Sequence, residues 1–190
     1  LWGPSNYNLI ENNNFNYGTH TGLNLQGRGE QLSYNVIRNN NFWNPWHHNI
    51  NIWRNANLNL FEGNKVYDAG EDHENNLCGP SESRNKDRYK HNGLQIGSSN
   101  LIIRKNVFVN NGKLQITSYD SGQSSTNNCV YFNTFYKNYR GVYTNGYSGE
   151  DLYGNIIKNN IFYKQINYEI DLNYSSDAGN VYSYNNILGG

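Results

Sequence analysis

One asparagine recurs along this chain in a constant frame. An apolar residue stands three places before it and another two places after. The frame is visible in the segments NLIENNNFNY, NVIRNNNFWN and NIIKNNIFYK, and it recurs at Asn13, Asn40, Asn64, Asn106, Asn133, Asn160 and Asn185. The residues three before are Ile10, Ile37, Phe61, Ile103, Val130, Ile157 and Tyr182. Those two after are Phe15, Phe42, Val66, Phe108, Phe135, Phe162 and Ile187. Successive anchors lie 27, 24, 42, 27, 27 and 25 residues apart. A period of this length is the mark of a coil whose turns stack and share one long core.

A second signal follows most anchors. The stretches GLNLQ, NINIW, GLQIG, KLQIT, GVYTN and EIDLN alternate apolar and polar residues strictly. Period-two alternation predicts half-buried strands, and helical periodicity is absent. Each repeat is therefore read as one turn of a solenoid, with strands stacked in parallel about 4.8 Å apart. The seven anchor asparagines occupy one corner of every turn. Their amides can bond from rung to rung, and asparagine tolerates the left-handed backbone that corners need. Only 36% of the residues are apolar, which by itself would suit a disordered chain. The 17 Tyr, 7 Phe and 4 Trp, with zero formal net charge, argue instead for a packed fold. The neutral balance gives no electrostatic reason to expect nucleic acid or a membrane surface as partner. No apolar run is long enough to span a bilayer.

The repeat, with its N-x-I-x-x-N-x-F style, resembles the right-handed parallel β-helix proteins of the pectate-lyase-like superfamily, over nearly the whole chain. The expected fold is all-β. It is a single-stranded right-handed parallel β-helix of about seven rungs, forming one domain over residues 1–190, with one long excursion at 67–91. The resemblance implies a carbohydrate-related role but spans lyases, glycoside hydrolases, uronan epimerases, tailspikes and purely structural surface proteins. A secreted or cell-surface setting and a polysaccharide partner are expected on the same ground. The chain contains no Met, and no capping helix is visible at either end. A processed or excised piece is therefore expected, or one that associates end to end or as a trimer.

Stacking makes surface columns readable. Two residues before the anchors, Glu11, Arg38, Glu62 and Arg104 alternate in sign and predict rung-to-rung ion pairs. Four residues before stand Leu9, Val36, Leu60, Ile102, Cys129, Ile156 and Val181, which a bend at the corner would turn inward. On the alternating strand the outward columns read Asn24, Asn51, Gln95, Gln115, Tyr143, Asp171, and then Gln26, Trp53, Gly97, Thr117, Asn145, Asn173. The preceding outward position is read as Gly22, Asn49, Gly93, Lys113, Gly141 and Glu169. Amides suit sugar hydroxyls and aromatic rings suit sugar faces. Trp53, Gln95, Gln115, Tyr143, Trp46 and His48 are the candidate substrate-binding residues.

The 42-residue interval holds the excursion YDAGEDHENNLCGPSESRNKDRYKH, which gathers charge in a chain otherwise poor in it. The segment WNPWHHN of the preceding rung, with His47 and His48, lies at the equivalent corner. Three chemistries fit. Elimination from a uronate needs a base and a cation for the carboxylate, and Lys90, His91, Lys113 and Arg88 are the candidates. Hydrolysis needs two carboxylates, which Glu71, Asp72 and Glu74 offer. Calcium, the one cofactor considered, would take oxygen ligands from Asp68, Glu71, Asp72 and Glu74. Cys78 and Cys129 fit a disulfide or buried thiols. A lyase acting on an acidic polysaccharide is the favoured function. A non-catalytic structural β-helix and a glycoside hydrolase are the alternatives.

Overall fold

The computed structural model describes residues 1–16, 20–45, 47–69, 91–118, 124–146, 152–173 and 179–188. These residues form a solenoid of three parallel sheets, of seven, seven and six strands. No helix occurs among them. Six turns contribute to all three sheets and the last to two, slightly short of seven complete rungs. The first sheet runs from Leu9–Glu11 to Val181–Ser183 and the second from Asn14–Asn16 to Asn186–Leu188. The third is built from longer strands, Thr21–Gln26, His48–Trp53, Asn92–Gly97, Lys113–Ser118, Arg140–Gly146 and Tyr168–Asn173.

The register follows the repeat. Ile10 pairs with Ile37, and Phe15 with Phe42. Phe61 pairs with Ile103, and Phe108 with Phe135, across the 42-residue interval and the 27-residue one respectively. The inward side chains of all three sheets fill one continuous core. Within it Phe108, Phe135 and Phe162 stack with ring centroids 5.0 and 4.8 Å apart. Offset stacking of identical rings holds the rungs in register beyond what burial alone supplies.

The anchor asparagines form a buried ladder. The backbone N–H and the side-chain amide of each donate to Oδ1 of the next, from Asn13 through Asn185. The residue just before each anchor takes the left-handed conformation: Asn12, Asn39, Gly63, Lys105, Phe132, Asn159 and Tyr184, with φ between 54° and 67°. Two further ladders flank this one. Five residues earlier, Asn8, Asn35 and Asn59 are linked, as are Asn128, Asn155 and Asn180. Five residues later, Asn111, Asn138 and Gln165 are linked. Corner carbonyls and amides that turn away from the sheets thus find partners without water, which the buried corners require.

Two surface expectations resolve differently. Arg38 Nε lies 2.8 Å from Glu11 Oε1, and Arg104 Nε lies 2.9 Å from Glu62 Oε1, so the charge column pairs as read. Such exposed pairs add little to stability and act on register. The apolar column four residues before the anchors does not turn inward. Leu9, Ile102 and Val181 are exposed, and Val36, Leu60, Cys129 and Ile156 are half-buried. Strict alternation in the three-residue strands leaves only the central residue pointing to the core. Cys129 carries a free thiol. Cys78 lies outside the described residues.

Candidate functional site

The outer face of the third sheet holds most of the described candidate residues. Its central column is Asn24, Asn51, Gln95, Gln115, Tyr143 and Asp171, each aligned with the next, as the alternation predicts. Beside it Gln26 aligns with Trp53, and Trp53 with Gly97. A Cβ on Gly97 would stand 2.7 Å from Cε3 of Trp53, so the bare glycine makes room for the indole.

The column on the other side differs from its sequence reading by one residue. Thr21 aligns with His48, Asn92 with Lys113, and Arg140 with Tyr168. Lys113 is in this column, but Gly22, Asn49, Gly93, Gly141 and Glu169 are not. The glycines among them sit where the chain approaches its neighbours closely. A Cβ on Gly22 would lie 2.8 Å from the Asn49 carbonyl oxygen, and one on Gly93 would lie 2.9 Å from Asn111 Cγ.

A cleft of about 560 Å³ opens on this face. Asn51, Gln95 and Gln115 form its floor, His20, His47 and His48 border one side, and Gln26, Trp53 and Arg54 the other. The amides on the floor are linked: Asn92 Nδ2 donates to Gln115 Oε1 at 2.8 Å. The corner preceding the third sheet brings four histidines together. The His47 ring centroid lies 4.8 Å from that of His20, 3.7 Å from His48 and 4.9 Å from His91. The WNPWHHN segment and the end of the excursion therefore do meet. His48 Nδ1 accepts the backbone N–H of Asn92 at 2.9 Å. Burial, and then the neighbouring His91 and His20, lower the pKa of His47 to about 4. Burial, and then His47, lower that of His48 to about 2. Both rings are neutral at neutral pH.

Beyond the cleft on the same face stands a second group. The Lys113 ammonium lies 5.1 Å from the centroid of the Tyr143 ring. The Arg140 guanidinium carbon lies 4.7 Å from the same ring. Arg140 Nε is 3.0 Å from Asp171 Oδ2. Burial, reinforced by Arg140 and opposed by Asp171, lowers the pKa of Lys113 to about 8. A lysine tuned in this way is a competent base near neutrality.

The candidate residues therefore divide. His48, Trp53, Gln95 and Gln115 share the cleft, with His91 at its corner. Lys113 and Tyr143 lie further along the same face. Asp68 does not line the cleft; it stands just after a second-sheet strand, where its Oδ1 accepts from Asn110 Nδ2 at 2.7 Å. Lys90, Arg88, Glu71, Asp72, Glu74 and Trp46 lie outside the described residues. Arg140 and His47 were not among the candidates. Arg140 lies one repeat period beyond Lys113, and that spacing is the signal that points to it.

Stacked parallel turns with polar ladders at their corners define a parallel β-helix. The family described as the right-handed β-helix region matches residues 1–150, and the chain belongs to it. No curated protein and no solved structure matches the chain.

Proposed function

We propose that the outer face of the third sheet binds an acidic polysaccharide and cleaves it by β-elimination. The observation that carries this reading is Lys113, an amine with a lowered pKa held beside an arginine on a sugar-compatible surface. Neutral Lys113 Nζ takes the proton from the carbon next to a uronate carboxylate. The freed electron pair forms a carbon–carbon double bond, the bond to the neighbouring glycosidic oxygen breaks, and that oxygen takes a proton from solvent. Arg140 offsets the carboxylate charge that builds up as the proton leaves. Its guanidinium carries five N–H donors in a planar fork, the geometry that suits a carboxylate, and its Nε stands 3.0 Å from Asp171 Oδ2. Among the described residues, Arg54, Lys113 and Arg140 outnumber Asp171 on this face, which suits a polyanion. Trp53 and the floor amides supply stacking and hydrogen bonds for flanking sugars. On this reading the protein works outside the cell or on its surface, where such polymers occur.

The test is product analysis after incubation with acidic and neutral polysaccharides. Unsaturated uronate ends are expected with acidic substrates. Products that gain water would replace elimination by hydrolysis, and an intact panel would leave a non-catalytic sugar-binding surface. The pH profile gives a second check. The amine must be uncharged, and Arg140, Asp171, Tyr143 and His48 are the groups that face it. Below pH 8 the rate is expected to rise about tenfold per pH unit and then to level off. A rate that falls from pH 6 to 8 would exclude Lys113 as base.

A further inference from the structure

We propose that His47, His48 and His91 form a binding site for a divalent transition-metal ion, with its open position facing the cleft. One ligand atom from each residue can be chosen so that all three lie within 4.8 Å of one another. Zinc–imidazole bonds of about 2.0–2.1 Å place tetrahedral ligand atoms roughly 3.3 Å apart, so small side-chain rotations close the set. His47 precedes its strand and His91 leads into the next, where such rotations do not break sheet pairing. The donor set is entirely imidazole, which selects zinc, copper or nickel over calcium and magnesium. Three protein ligands in a cleft leave a position for water or for a substrate oxygen, as in catalytic rather than structural metal sites.

Two observations separate this cluster from an ordinary group of packed histidines. His48 is more than nine-tenths buried, yet its ring borders the cleft. Nδ1 of His47 is buried without a hydrogen-bond partner among the described residues. Burying polar nitrogens without partners is costly, and a metal ion removes that cost. The Asn92 contact adds a specific consequence. With Nδ1 of His48 accepting from Asn92, the ring hydrogen of neutral His48 is on Nε2. Ligation through Nε2 moves that hydrogen to Nδ1, and ligation through Nδ1 displaces the Asn92 N–H. Either way the Asn92 amide loses its acceptor when metal binds.

The site is independent of the elimination chemistry proposed for Lys113, and its test does not read activity. The full chain, stripped with a chelator and dialysed, is titrated with zinc by calorimetry at neutral pH. One zinc per chain is expected, unaffected by excess calcium. His47→Ala and His91→Ala are each expected to weaken binding by about 10- to 100-fold or more. Cobalt substituted for zinc is expected to give the intense visible bands of a tetrahedral site, lost in both variants. Hydrogen exchange at the Asn92 amide is expected to accelerate on zinc addition. Unfolding midpoints of the zinc-free variants establish that both are folded, and His48→Ala is not needed. Absence of zinc binding in the wild type, or binding unchanged in His47→Ala and His91→Ala, would overturn the proposal. So would stoichiometric binding that leaves the Asn92 amide unchanged.

Discussion

Asn106→Ala is expected to cost roughly 3–5 kcal/mol, a large part of the 5–15 kcal/mol that holds a domain folded. Asn106 sits near the middle of the anchor ladder and is buried. Its Oδ1 accepts from the Asn64 backbone N–H at 2.8 Å and from Asn64 Nδ2 at 3.1 Å. Its Nδ2 donates to the Phe61 carbonyl and to Asn133 Oδ1, each at 3.0 Å. Alanine removes all four bonds at once. The Asn64 amide is stranded in a dry corner, at a cost of about 1–3 kcal/mol, and the other lost bonds add about 1 kcal/mol each where nothing replaces them. Asn185→Ala removes the same kind of contacts at the last rung, to Asn160 and Ile157, but Asn185 itself is only half-buried, so its loss opens these partners to water. Solvent can replace them, so about 1 kcal/mol is expected there. Urea unfolding of the two variants and the wild type measures the difference. Equal losses at the two positions would mean that the ladder is not held by burial. Since solenoid turns contact only their neighbours, a change in the slope of the Asn106→Ala transition would signal that the turns on either side unfold separately.

The fold was legible because its strongest determinant is written once per turn. The apolar residues around each anchor fixed two sheets, and period-two alternation fixed the third and its central outward column. The flanking ladders follow the same spacing, five residues before and after the anchor, yet they were not read. Leu101 takes the asparagine position in one turn of the first, and in the second Gly18, Pro45 and Ala69 precede Asn111 and Asn138 while Gln165 substitutes for asparagine, so neither column is uniform. In a chain so rich in asparagine an interrupted column does not stand out.

The site was less legible because its residues are joined by stacking rather than by sequence. Lys113 was identified, but its partners were sought among the charges of the excursion. The charge that shifts it most is Arg140, one period further along. His47 and His91 are far apart in the chain and meet only because adjacent turns overlay. The off-by-one column has a local cause. The span from anchor to third sheet varies from turn to turn, and a register shift lies between Lys113 and Leu114. Counting back from the alternating strand therefore lands on the close-approach glycines instead of on Thr21, His48, Asn92 and Arg140.

Lys113→Met is expected to lower kcat for elimination by about a thousandfold while leaving KM within a few fold, within the range a positioned general base contributes. Methionine keeps the length and the apolar stem over Tyr143 and removes only the amine, so the proposed sugar-binding face keeps its shape. The same substitution separates chemistry from folding by its effect on stability. Burial holds the folded pKa of Lys113 near 8, below its ordinary value of 10.5, so the folded state disfavours the charged amine. The unfolded chain binds that proton more readily between about pH 8 and 10.5, and wild-type stability rises across this window. Below pH 8 the wild type bears the full penalty, which Lys113→Met removes. The variant is therefore expected to be inactive and at least as stable as the wild type at pH 7. Arg140→Ala completes the argument. Loss of the neighbouring cation raises the Lys113 pKa, so the rising limb of the pH profile moves to higher pH. KM also rises, because the substrate carboxylate loses its partner. Full activity in Lys113→Met would move the base to another residue, and an unshifted profile in Arg140→Ala would separate the arginine from the lysine it faces across Tyr143.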